Sequence, residues 1–284
     1  MFNQIQFTLT VNAGKWLIAK AISELECIKE VLSKGKLILF GGTTISALSE
    51  LLIGFPLRLS GRITPRGTVT AYQNSKNIPH TILIHQGKTY DLLGEDSLAQ
   101  NLLKSIDKSD VVVTGANGYD IYGNACLMAG SYGLGNRINL LAPMHTEGSR
   151  LIVAVGIEKL MPGSILEAIK HTGRTSSIWS MGASVGLVPL LGEIITEIEA
   201  IKILVGVEAI VIGRGGINGA EGSSTIVAKG DRKSLEKLIS LIKWSYQQKI
   251  SGSINSIQEC QRGIKACSRH KSCCYKSGKL FNEL

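Results

Sequence analysis

Four short apolar runs, Leu37–Phe40, Val111–Thr114, Leu151–Val155 and Ala209–Ile212, are separated by segments long enough to hold helices. That alternation restricts the chain more than any other feature. A run of four or five apolar residues bounded by glycine or polar residues is too short for a helix and suits a strand buried on both faces. Between the runs the spacing turns helical. Trp16, Ala19, Ile22, Leu25, Ile28 and Leu32 lie on or near one stripe from Lys15 to Leu32, and Ile45, Leu48, Leu51 and Leu52 lie on another. Further helices are expected over Ser97–Ile106, Ser164–Lys170, Glu193–Leu204 and Ser234–Gln247, with additional strands at Thr81–Ile84 and Ser224–Ala228. Strands alternating with helices predict an α/β fold: a mostly parallel, doubly wound sheet with helices on both faces and ligands at the carboxyl ends of its strands. The four apolar runs should then be neighbours in one sheet.

The chain has 284 residues, enough for a single α/β domain over residues 1–248. The remainder, 249–284, reads as a basic, cysteine-rich, flexible tail that should be dispensable for folding. Of the formal charge of +9, the tail supplies seven Lys or Arg against two Asp or Glu, leaving about +4 for the body. Nucleic acid is therefore an unexpected partner, and with 5% aromatic residues a stacking platform for single strands is missing as well. No run approaches the ~18 consecutive apolar residues of a membrane span, and the amino terminus lacks a basic segment followed by an apolar signal core. A cytoplasmic location without a membrane partner is the expectation, and a homo-oligomer is compatible with it.

The first run leads into Gly41-Gly42-Thr43-Thr44 and then a helix. Paired glycines allow close backbone approach, while threonine hydroxyls and the N–H groups of a helix start face one place, which makes an anion cradle suited to phosphate. An ordinary strand-to-helix turn with Thr43 or Thr44 as the cap is the competing reading. Arg62 and Arg66 flank Pro65 and Gly67 on an expected loop or hairpin, and their guanidinium forks suit phosphate or carboxylate. Together these residues would clamp an anionic ligand.

From Asp110 to Ser131 the chain resembles the superfamily of ribose-5-phosphate isomerase, glucosamine-6-phosphate deaminase and the coenzyme A transferases. It is closest there to the sugar-1-phosphate isomerases related to initiation factor 2B subunits. In those isomerases a strand ends in Gly-Ala-Asp, passes a glycine turn and finishes Asn-Lys-x-Gly-Thr. Here the strand ends Gly115-Ala116-Asn117, Gly123 follows, and the segment finishes Leu127-Met128-Ala129-Gly130-Ser131. Asn117 thus stands where those isomerases carry the acid–base carboxylate, and Leu127-Met128 replace the Asn-Lys pair. The Gly41–Thr44 turn is also similar to the phosphate-binding turn that opens the ribose-5-phosphate isomerase fold. The resemblance implies that fold and a phosphorylated small-molecule ligand, bound by Gly41, Gly42, Thr43, Thr44, Arg62, Arg66, Gly115, Ala116 and Asn117 and isomerised by proton transfer.

For the acid and base the sequence offers Asp120, Glu147 and Glu221, with Cys126 as a thiol acid unless it is simply a small buried residue. His145 could join them. The segment between residues 115 and 131 is too polar and glycine-punctuated to be read as core. Glu221, in Gly219-Ala220-Glu221-Gly222-Ser223, is also similar to the nucleophilic glutamate of coenzyme A transferases, so a transferase or thioesterase is an alternative. A binding or regulatory homologue without catalysis is another, which Asn117 and Leu127-Met128 would allow. No cofactor is expected. The tail's Cys260, Cys267, Cys273 and Cys274 could take zinc or an iron–sulfur cluster, but they include no pair at C-x2-C spacing.

Overall fold

A computed structural model describes residues 3–70, 78–94, 96–253, 265–268 and 270–277. The chain opens with strand β1 (Asn3–Leu9) and helix α1 (Val11–Glu24), whose start is capped by the Thr10 hydroxyl accepting from Ala13 N. Leu25, extended at φ −61° and ψ 136°, divides the single helix expected over Lys15–Leu32 into α1 and α2 (Glu26–Lys34). Strand β2 (Lys36–Phe40) is wholly buried and feeds α3 (Thr43–Ile53), which Gly54 ends in the left-handed conformation. Two hairpins follow, β3 (Gly61–Thr64) with β4 (Gly67–Thr70) and β5 (Thr81–His85) with β6 (Lys88–Asp91). Next come α4 (Ser97–Lys104), β7 (Val111–Gly115), β8 (Gly118–Tyr119), β9 (Ala125–Ala129) and α5 (Ile138–Thr146). The final third holds β10 (Arg150–Ala154), α6 (Ile165–Lys170), β11 (Gly186–Leu190), β12 (Glu193–Ile195), α7 (Glu197–Val205), β13 (Glu208–Gly215), β14 (Ser223–Gly230) and α8 (Arg232–Tyr246).

The central sheet has six strands in the order β12-β10-β7-β2-β5-β6. The first four are parallel, and the β5–β6 hairpin adds two antiparallel strands at one edge. Three of the four apolar runs are therefore adjacent, with Phe40 opposite Thr114 and Thr114 opposite Val153. Period-two alternation sends their side chains into two cores. Leu37, Leu39, Val111, Val113, Ile152 and Ala154 pack with α1, α3 and α7, whereas Ile38, Phe40, Val112 and Val153 pack with α4, α5 and β9. At the amino ends of β2 and β7, Lys36 Nζ pairs with Asp110 Oδ2 at 2.9 Å, and Asp110 Oδ1 accepts from Lys36 N.

The fourth run departs from expectation. Ala209–Ile212 lies in β13, in a separate antiparallel sheet of order β1-β14-β13, because a tight glycine-rich turn folds β13 directly onto β14 and leaves no length for a crossover. Its apolar residues are not doubly buried: Ile210 and Ile212 are exposed. Two further readings change. Glu193–Ile195 is strand rather than helix, and α7 starts only after Thr196, which forms a capping box with Glu199. The segment read as too polar for core supplies β8 and β9 of a small sheet with β11, in which Ala125, Cys126 and Ala129 are buried.

Residues beyond 248, read as a flexible tail, touch the body at several described positions. Lys249 O accepts from Trp16 Nε1 at 2.8 Å, Ser251 Oγ bonds Ser46 Oγ and Glu50 Oε1, and Ser253 N donates to Leu57 O. Further on, Cys274 N donates to Ser180 O, Cys274 is fully buried, and the Arg66 guanidinium stacks 4.3 Å over the Tyr275 ring.

Candidate functional site

Strands β2, β7 and β10 run parallel, so their carboxyl ends deliver residues 41–44, 116–119 and 155–159 to one edge of the sheet, where open α/β folds place ligands. After β10 the chain makes a single 3-10 turn, Ile157–Lys159. Lys159 Nζ donates to Ala116 O at 2.7 Å, tying this turn to the end of β7. Glu197, the first residue of α7, is 4% exposed and accepts from Ile157 N through Oε2 at 2.8 Å. Glu158 lies between Ile157 and Lys159, with both carboxyl oxygens shut off from solvent and, among the described residues, no hydrogen-bond partner. The Ser223 hydroxyl, at the start of β14, is likewise buried and unpartnered.

The backbone makes room for these carboxylates. A Cβ on Gly156 would overlap the Glu158 carboxylate, and one on Gly14 of α1 would overlap Glu197 Oε1. Gly222, at φ 80°, brings the β13–β14 turn against Val11 and the Glu158 Cβ. One helical turn beyond Val11, the partly accessible Lys15 adds a second cation within electrostatic reach of Glu158 and Glu197. The result is a cluster of two lysines and two glutamates, assembled from α1, the 157–159 turn and α7.

Burial dominates the electrostatics. Desolvation pushes the Glu197 carboxyl up to about 7, reinforced by Glu158 and opposed by the Ile157 amide and Lys15. Desolvation also lowers the Lys159 ammonium to about 8, helped by the like charge of Lys15 and opposed by Glu158 and Glu197. Lys15 is lowered too, again chiefly by desolvation. A carboxyl and an amine that both titrate near neutrality, within electrostatic reach of each other at a strand's carboxyl end, can give and take a proton under physiological conditions.

The Gly41–Thr44 turn lies level with this cluster, two strands away. Neighbouring strands are ~4.8 Å apart, which places the ends of β2 and β10 on the order of 10 Å from one another. Gly41 N donates to His80 O at 3.1 Å, and a Cβ on Gly41 would strike the His80 ring. Gly42 adopts φ 149° and ψ 164°, a conformation that L side chains rarely reach, with open space where a Cβ would stand. No side chain caps the helix behind it: neither Thr43 nor Thr44 serves as the cap, since both lie inside α3.

The other expected site residues fare differently. Arg62 and Arg66 do sit on a hairpin, but its backbone bonds residues 181–183 through Thr68, and Arg66 stacks on Tyr275. Gly115 ends β7, and Ala116 contributes its carbonyl to Lys159. Asn117 is a brace, its Oδ1 accepting from Met128 N at 2.9 Å and its N donating to Cys126 O. Asp120 is 2% exposed and accepts five hydrogen bonds, from Tyr122 N, Ile165 N, Asn124 N and twice from Asn124 Nδ2. Desolvation would raise its carboxyl, but these donors outweigh it and hold the group below the usual carboxylate range, a poor base that fastens a loop. Burial pushes the Cys126 thiol up to about 11, as suits a small core residue. Glu221 is exposed in the β13–β14 turn, where Oε2 accepts from Gly219 N. Glu147 is exposed after α5, and His145 lies in that helix's last turn. Cys260 lies outside the described residues, among which no group of three or more His, Cys, Asp or Glu gathers as a metal site. Also among the described residues, no helix is long and apolar enough to cross a membrane.

A cleft of ≈ 450 Å³ opens beside the 157–160 turn, lined by Tyr119, Ile157, Leu160, Ile198, Val211 and Arg214 among others. Desolvation and the surrounding glutamates push its Tyr119 hydroxyl up to about 12.

Lys15, Glu158, Lys159, Glu197 and Ser223 were not singled out by the sequence. The signal for two of them was present: Gly156-Ile157-Glu158-Lys159 follows a buried strand just as Gly41-Gly42-Thr43-Thr44 does, and charged residues at that position point to the ligand edge. Compared with known proteins, the chain matches no family model, no curated protein and no solved structure.

Proposed function

We propose that the chain binds a phosphorylated small molecule along the carboxyl edge of β2, β7 and β10 and isomerises it by proton transfer through Lys159 and Glu197. The observation that carries this reading is the cluster of Lys15, Glu158, Lys159 and Glu197, in which a carboxyl near 7 and an amine near 8 lie within electrostatic reach of each other. Drawing Lys15, Lys159 and Glu197 partly or wholly out of water costs stability, and leaving both Glu158 oxygens unpartnered costs more. A chain keeps such an arrangement where it has chemistry to perform.

The uncapped start of α3 supports the phosphate end of the ligand, since its amides and the positive end of the helix dipole favour an anion. The resemblance to sugar-phosphate isomerases agrees with that ligand class. Because Ala209–Ile212 lies outside the central sheet, the proposal rests on the cluster rather than on the resemblance. Asp120 and Cys126 give up their proposed acid–base roles to Glu197 and Lys159, and Glu221 has no part in the reaction.

Calorimetric titration with ribose phosphates, other sugar phosphates and coenzyme A tests the ligand class. Binding of one or more sugar phosphates is expected. Silence with every phosphorylated compound would overturn the reading, and binding of coenzyme A alone would return the transferase alternative.

A further inference from the structure

We propose that Lys159 is a nucleophilic amine that condenses with the aldehyde or ketone group of the phosphorylated ligand to form an imine. The inference deepens the preceding reading and rests on it for the phosphate end of the ligand. Three observations support it. The Nζ is fixed at the ligand edge by its bond to Ala116 O, which a neutral amine can still donate, more weakly than an ammonium, and which leaves the nitrogen lone pair directed elsewhere. Lys15 shares the same two carboxylates, so a second positive charge works against protonation of Lys159, a recurrent way of activating a lysine. Two carboxyl groups, Glu158 and Glu197, stand ready for the protons that the condensation moves.

The step balances without an oxidant or reductant. The neutral Nζ adds to the carbonyl carbon while the carbonyl π pair passes to oxygen, which takes a proton from the Glu197 carboxyl. The nitrogen then gives a proton to the Glu158 carboxylate, which passes it to the hydroxyl, and the hydroxyl leaves as water while the nitrogen lone pair closes the C=N bond. The net change is amine, carbonyl and the Glu197 proton to protonated imine, water and the Glu197 carboxylate. A protonated imine withdraws electrons from the adjacent carbon more strongly than the parent carbonyl, so the proton that an isomerisation must move becomes easier to remove, and the Glu197 carboxylate left by the condensation can accept it.

Borohydride trapping of the intact protein tests this directly, with pyridoxal 5′-phosphate as an aldehyde bearing a phosphate and pyridoxal as its phosphate-free counterpart. A Lys159 amine near 8 has a neutral fraction at pH 7.5 on the order of a hundredfold above that of an ordinary lysine. Peptide mapping should therefore find the reduced pyridoxal 5′-phosphate adduct on Lys159 well before any exposed lysine. Pyridoxal should label it more slowly, and inorganic phosphate should compete with the first probe only. The K159R variant, which keeps the charge but cannot condense, should lose the adduct; mapping of the wild type alone decides the matter if that variant fails to fold. Equal trapping of both aldehydes at Lys159 would uphold the imine and remove the phosphate reading. Phosphate-ester binding by calorimetry with Lys159 unlabelled, or labelling spread over surface lysines, would overturn the imine and leave the anion site standing.

Discussion

Lys159 Nζ and Ala116 O meet at 2.7 Å, so the turn that follows β10 is joined to the end of β7 by a charged side chain rather than by the sheet's own ladder. The contact fixes Lys159 between two neighbouring parallel strands. Glu158 and Glu197 lie within electrostatic reach of its ammonium, and Lys15 adds a like charge.

The first prediction is a pH signature of that system. The Glu197 carboxyl is raised from 4.5 to about 7, so between those values the folded chain holds a proton that the unfolded chain has released. Stability therefore falls as pH rises through that window. Lys159 is lowered from 10.5 to about 8, so between those values the unfolded chain binds the extra proton and stability rises with pH. Lys15 and Glu158 act on both groups, Lys15 lowering each and Glu158 raising each. Urea unfolding from pH 5 to pH 10 should show Glu197→Gln removing the acidic-side decline and Lys159→Met removing the alkaline-side recovery.

A second prediction uses the space the glycines leave. Gly14→Ala puts a methyl group where Glu197 Oε1 now sits, and the carboxylate can yield only by straining or losing its bond to Ile157 N. The expected cost is about 1–3 kcal/mol. In a Glu197→Ala background the same substitution should be nearly neutral, so a double-mutant cycle by chemical denaturation should give a coupling of similar size.

The alternation of apolar runs and helical spacing was enough to place β2, β7 and β10 as neighbours, because each is buried on both faces and reads as unbroken apolar sequence. The same criterion failed for Ala209–Ile212, where a four-residue apolar run carries no sign of how soon the next strand will return to pair with it. The Gly41–Thr44 strand-to-helix turn was legible from its glycines. The cluster as a whole was not, since Lys15 and Glu197 look like ordinary surface charges on helical segments until tertiary packing brings them to Glu158 and Lys159. Asp120 misled for the converse reason: a carboxylate in a glycine-rich loop suggests chemistry, whereas this one is consumed by backbone amides and an asparagine.

A third prediction follows for Asp120. Asp120→Ala leaves the amides of Tyr122, Asn124 and Ile165 without their acceptor and should destabilise the fold by about 2–4 kcal/mol. Because the carboxyl is held low, its contribution should be full at neutral pH and lost as pH falls through its folded value. Ligand affinity of the fraction that remains folded should be unchanged in a titration at low temperature.

The fourth prediction reverses an expectation drawn from composition. Truncation after Gln248 removes the Lys249 acceptor of the buried Trp16, the Ser251 contacts with Ser46 and Glu50, and the buried Cys274. Loss of two or three net hydrogen bonds at roughly 1 kcal/mol each should lower the melting temperature by about 5–10 °C in a scanning experiment.

The central claim is that an anionic ligand sits within the field of the Lys15–Glu158–Lys159–Glu197 cluster. Calorimetric titration with ribose 5-phosphate at pH 7, repeated in two buffers of different ionisation enthalpy, tests it most directly. A negative ligand should raise the proton affinity of Glu197 and Lys159, so binding should take up protons and the observed heat should differ between the buffers. Glu197→Gln should reduce that difference, and Lys159→Met should weaken binding roughly tenfold or more, as loss of one charge-assisted contact would. Binding heats that are identical in both buffers, or a folded Lys159→Met variant with wild-type affinity, would contradict the claim.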